Sequence, residues 1–60
     1  LTERENSILR RLSEGYAYKD IAQLAGISVH TVHTHIKNIY RKLEVHSRAE
    51  AVYQQRKHLN

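Results

Sequence analysis

YKDIAQLAGISVHTVHTHIK, running from Tyr18 to Lys37, reads as two helices joined by a three-residue turn. Ile21, Ala22, Leu24 and Ala25 fall along one side of a short helix over residues 18–25, which predicts that this side is buried. Gly26 ends that helix, because glycine enters the left-handed conformation without a Cβ penalty. Ser28 can cap a new helix two residues later, so the connection is Gly26-Ile27-Ser28. A short turn with a glycine between two helices is the helix-turn-helix arrangement. Small Ala22, four residues before Gly26, lets the two helices approach where they cross. A plain helical hairpin has the same spacing, so the flanking sequence must separate the two.

Downstream, Val32, Ile36, Ile39 and Leu43 recur at helical spacing and predict a core stripe on a helix over residues 29–43, widened by Val29 and Tyr40. At about 100° per residue, the opposite face carries His30, Thr34, Lys37 and Arg41, flanked by His33 and Asn38. That face has cations and hydrogen-bonding groups and no acid, whereas a solvated face ordinarily mixes both signs. Upstream, Thr2 and Glu5 form a capping box, Ile8, Leu9 and Leu12 form an apolar stripe, and Gly15 stops a helix of about residues 3–14. Ser47 and Glu50 repeat the capping box and open a last helix of about residues 48–58. Ala49, Val52, Tyr53 and Arg56 are expected to face the core there, leaving Ala51, Gln55 and His58 as a second, outward stripe. The expected fold is all-α, a four-helix bundle containing a helix-turn-helix at about residues 18–37.

Sixty residues make one small domain with a modest core. No cysteine is present to staple it, and two glycines with no proline are poor material for many turns and strands. No apolar run approaches the ~20 residues of a membrane span, and no signal-peptide pattern opens the chain, so no membrane association and a cytoplasmic location are expected. The net charge of +4 favours a polyanionic partner, but only its placement makes that informative.

Catalysis finds little support, since Gly15 and Gly26 stand alone and no pair of carboxylates sits in an apolar setting. Among the five histidines, His30 and His33 have a spacing that can hold a metal. His35 points about 200° from His33, so three ligands do not converge from this helix. Neither an enzyme, a metal nor a cofactor is therefore expected. Double-stranded DNA suits the residues better. A recognition helix lies in the major groove, where lysine donates to guanine and threonine offers a hydroxyl and a methyl group. Lys37 and Thr34 occupy the face for that work. The helix amino terminus at Ser28, Val29 and His30 presents amides that favour a phosphate, and Lys19 can grip the backbone from the preceding helix.

The residues Leu1-Thr2, Arg4-Glu5, Gly15, Lys19-Asp20-Ile21-Ala22, Ile27-Ser28, Thr31-Val32, His35-Ile36, Ile39, Lys42-Leu43 and Ser47-Arg48-Ala49-Glu50-Ala51 together resemble the LuxR-type (GerE or NarL-like) DNA-binding domain. The resemblance runs through nearly the whole chain without gaps. It implies a transcription-regulating domain that is the carboxyl-terminal output module of a longer bacterial regulator, behind a receiver or sensing domain. It implies base contacts at His33, Thr34 and Lys37, and backbone contacts near Lys19, Thr31 and Arg41, to which the helix amino terminus adds Ser28 and His30 and the outward face adds Asn38. It also implies a twofold homodimer on DNA with the contact supplied by the last helix, where Ala51 and Gln55 of the second stripe, with Val52, are the expected contact residues. Twofold pairing requires inverted half-sites, and RNA polymerase is a further candidate partner. Three positions depart from the family pattern. Tyr18 replaces a common asparagine and leaves the second helix poorly capped. His33 replaces a common basic residue, and Glu44 stands where glycine is common. Two further readings stay open: a sigma-factor-like region that reads promoters with RNA polymerase, and a helical protein-interaction adaptor.

Overall fold

The computed structural model describes residues 1–59, and side chains as far as Lys57. Four helices follow one another: α1 (Glu3–Ser13), α2 (Tyr18–Ala25), α3 (Val29–Leu43) and α4 (Arg48–Leu59). The all-α expectation is met, with each boundary within a residue of its predicted place.

Local chemistry explains the starts. The Thr2 hydroxyl accepts from the Glu5 amide at 3.1 Å while the Glu5 carboxylate accepts from the Thr2 amide at 2.9 Å, a closed capping box. Ser28 accepts from the Thr31 amide at 3.1 Å and opens α3. At α4 the Ser47 hydroxyl accepts from the Glu50 amide at 3.2 Å, but the Glu50 carboxylate takes the His46 amide, one residue earlier than a closed box requires. Helix α2 lacks a side-chain cap bond, as expected, but the cap position is Ala17 and not Tyr18, which is already the first helical residue.

Three helices end alike. The left-handed residues are Gly15, Gly26 and Glu44, and the amides of the residues after them (Tyr16, Ile27 and Val45) return to the carbonyls of Arg11, Ala22 and Tyr40. An added Cβ at Gly26 would meet nothing within 4 Å, so this glycine serves its φ of +69° and not a close approach. Glu44 holds φ 58° without being glycine, a strained position.

The core joins Ile8, Leu9 and Leu12 of α1 to Ile21 and Ala22 of α2, Val32, Ile36 and Ile39 of α3, Val45 of the last connection, and Ala51 of α4. Helix α3 touches the other three helices, and α4 lies against α1 and α3. Three expectations are corrected here. Leu24 is 55% exposed and only Ile21 and Ala22 of α2 are fully buried, because a two-turn helix presents too narrow a stripe for four apolar residues. Val29 points along the stripe, but in the first turn it lies at the end of the core and stays exposed. On α4 the two stripes are exchanged: Ala51 is wholly buried, whereas Ala49 is exposed and Tyr53 is 64% exposed. The Arg48 guanidinium sets this rotation by donating to the carbonyls of Leu12, at 3.0 Å, and Tyr16, at 2.6 Å. Arg48 and Ala51 thereby face α1, where a small side chain allows close approach. Ala51 is thus not an outward dimer contact, and Val52 and Gln55 are half-buried at the edges of the packed face. The His58 side chain lies outside the described residues.

Candidate nucleic-acid interface

Helix α3 is held from beneath by Val32, Ile36 and Ile39, all buried, so its outward face is presented on a rigid element. His30, His33, Thr34, Lys37 and Arg41 are all exposed there, and Thr31 and Asn38 are half-buried at its margin. Residues 29–43 contain no carboxylate. Among the described residues Lys37 makes no ion pair, and Arg41 donates to Asn38 Oδ1 at 3.0 Å, a contact that orients the guanidinium without neutralising it.

Several polar groups on this face are already engaged. The Thr34 hydroxyl donates to the His30 carbonyl at 3.3 Å, a bond to the backbone of its own helix. The hydroxyls of Ser28 and Thr31 are 2.9 Å apart and build the helix cap. Ahead of the first backbone bond, from Val32 to the Ser28 carbonyl, the Val29 and His30 amides lack helical partners and carry the positive end of the helix dipole. Lys19 is exposed in the first turn of α2. The structure therefore brings His30, His33, Thr34, Lys37 and Arg41 onto one face, with Asn38 at its edge and Lys19 on the neighbouring helix.

A cleft of about 430 Å³ opens beside that face, lined by Tyr18, His30, His33, Thr34, Ile36, Lys37 and Tyr40. The Tyr18 ring meets His33 edge to face, with centroids 4.8 Å apart and planes at 85°. Burial, reinforced by the neighbouring Tyr18 phenol, pushes the Tyr40 hydroxyl up to about 12, so it stays protonated. A larger concavity of about 710 Å³ lies between α1 and α2, where Glu3 stands beside Arg4 and Arg11. Its mixed charge makes it a poorer anion surface than α3.

Besides Arg4, which donates to the Ala25 carbonyl at 3.1 Å, two cations are spent on the fold, which the sequence pattern did not reveal. Lys42 donates to Glu5 Oε1 at 2.8 Å and ties α3 to α1. The Glu5 carboxyl is lowered from its ordinary 4.5 to about 2, chiefly by the Lys42 hydrogen bond and next by the Thr2 amide. Arg48 is the other. A lysine and an arginine separated from their partners by 37 and 36 residues give no local signal. The buried position of Glu5, close to Ile8 and Leu9 on the same helix, was the one available hint.

The chain matches the family of bacterial regulatory proteins, luxR family, over residues 1–54. It is 48% identical over 52 residues to the response regulator protein VraR of Staphylococcus aureus, and equally to that of Staphylococcus epidermidis. That alignment covers 87% of this chain and 25% of each relative, so the chain spans about a quarter of their length. Its fold is similar to a chain in the crystal structure of the anti-activator RapF complexed with the response regulator ComA DNA-binding domain. There the TM-score is 0.86 and the identity 36%, over 88% of this chain and 91% of that one. Matched along most of its length in sequence, and closely in its helical arrangement, the chain belongs to the LuxR family of bacterial regulatory proteins.

Proposed function

We infer that this domain binds double-stranded DNA sequence-specifically and is the output module of a longer response regulator. The observation that carries the reading is the outward face of α3: three exposed basic or imidazole side chains and Thr34 around Lys37, free of carboxylates, on the second helix of a helix-turn-helix. In this reading α3 enters the major groove. Lys37 donates to a guanine, the Thr34 methyl group meets a thymine, and His33 reads a third base edge. Lys19, Arg41, Asn38, His30, Thr31 and Ser28 hold the flanking phosphates, the last three through the helix amino terminus as much as through side chains.

Two copies pair on inverted half-sites through the outward face of α4, formed by Ala49, Tyr53 and Arg56 with Val52 at its margin. Support comes from Tyr53, a large aromatic side chain left on the surface of a small domain. A protein partner is a second reading, favoured by the solved neighbour, which is complexed with an anti-activator. RNA polymerase is a further candidate of the same class.

Titration of labelled DNA across about 50–200 mM salt tests the reading with two variants. Lys37→Ala should cost about 1–3 kcal/mol at the cognate site and relax its sequence preference. Lys19→Ala should weaken cognate and random DNA alike and flatten the dependence of log affinity on log salt by about 0.9. Equal behaviour of the two variants contradicts this division of roles, and an affinity unaffected by salt contradicts DNA binding by this face.

A further inference from the structure

We propose that Tyr18, on the helix before the recognition helix, is a positioning residue that sets the base preference of His33 by holding its imidazole edge to face. The inference rests on the assignment of His33 as a base contact made above.

His33 is exposed on α3, and an exposed imidazole ordinarily turns among staggered rotamers. Here it does not stand free. The Tyr18 ring lies 4.8 Å away with its plane at 85°, within the favoured geometry for paired aromatic rings. Tyr18 can act as a fixed stop because it is half-buried and packs on the core's edge. It also shares the wall of the cleft beside α3 with Tyr40, Lys37 and His30.

The consequence follows from imidazole chemistry. A neutral imidazole has one nitrogen that donates and one that accepts, on different edges of the ring. Which edge is turned toward the groove decides whether the base opposite must supply an acceptor, such as a purine N7, or a donor, such as an exocyclic amine. A ring free to rotate satisfies either and discriminates poorly. A ring braced on Tyr18 offers one edge. The tyrosine at the first position of α2 thereby has a use: it supplies an aromatic ring that a short polar residue at the same place would lack.

The test measures affinity for a cognate duplex, enriched from random DNA, and for a panel with each base pair substituted in turn. The proteins compared are the unaltered chain, Tyr18→Phe, Tyr18→Leu, His33→Ala and the double variant Tyr18→Leu/His33→Ala. Tyr18→Leu should reduce discrimination about three- to tenfold, the scale of an aromatic pairing, at the one base pair where His33→Ala removes it. Tyr18→Phe should keep it, since the ring remains, and Tyr18→Leu should add nothing in the His33→Ala background. Random-DNA affinity should be unchanged throughout. Thermal melting checks that each variant is folded, and Tyr18→Met replaces Tyr18→Leu should the latter melt below the assay temperature. A loss spread evenly over all base pairs and random DNA, or one shown equally by Tyr18→Phe, makes Tyr18 a direct phosphate contact and overturns the proposal. So does full discrimination in Tyr18→Leu while His33→Ala loses it, a result that leaves the reading of His33 intact. No change in His33→Ala itself removes His33 from the base contacts and Tyr18's role with it.

Discussion

Glu5 shows how one residue carries a structural role invisible to local pattern. Its carboxylate closes the capping box of α1 and receives the Lys42 ammonium from α3, so a charge in a buried setting is fully partnered. The folded carboxyl titrates near 2 against an ordinary 4.5, which means that the unfolded chain binds the proton more readily. This contribution to stability is fully present above about pH 4.5 and is lost as pH falls toward 2. Denaturant midpoints measured across that range should fall with acid in the unaltered chain, and part of that fall should vanish in Glu5→Gln. Parallel pH profiles for the two proteins would show that the Lys42 pairing does not hold the carboxyl down. The capping half of the role was legible in the Thr2–Glu5 spacing, and the ionic half was not, because its partner lies 37 residues away.

Among the elements, legibility tracked how strongly each helix declares its two ends and its face. Helix α3 declares all of these: a serine cap, a long stripe of β-branched residues, and an opposite face free of acids. Its presented side chains were accordingly readable before any coordinates. Helix α4 declares its start but not its face, since small and large apolar residues are spread around it. Larger Val52 and Tyr53 drew the core assignment, but close approach to α1 selected Ala51, and Arg48 fixed the rotation through carbonyls on another helix. At the end of α3, Glu44 keeps the left-handed turn that glycine would take freely. The strain of about 1–2 kcal/mol there exceeds the added unfolded-state freedom of a glycine, so Glu44→Gly should stabilise the domain by up to about 1 kcal/mol. Thermal unfolding should show a rise of about 4–8 °C per kcal/mol in a domain of this size. An unchanged or lower midpoint would mean that Glu44 makes a compensating interaction.

At the scale of the molecule, the fold separates the two surfaces proposed to work: α3 presents the basic face, while the exposed side of α4 carries Tyr53. The inward turn of Ala51 decides how pairing can be probed. Ala51→Glu places a charge in the core and should destabilise the domain by more than about 3 kcal/mol, so it reports folding and not association. Tyr53→Ala removes outward surface instead. It should abolish cooperative occupancy of two half-sites in gel-shift titrations and leave affinity for one half-site nearly unchanged. Full cooperativity in that variant would move the pairing surface elsewhere. All these surfaces matter only if α3 reads DNA sequence, and selection of bound duplexes from random DNA asks that question most directly. The account predicts enrichment of an inverted repeat with half-site centres about one helical turn apart, ~10 base pairs, and loss of preference at one position per half-site in Lys37→Ala. Recovery of sequences with no shared motif, or an identical motif from Lys37→Ala, would contradict it.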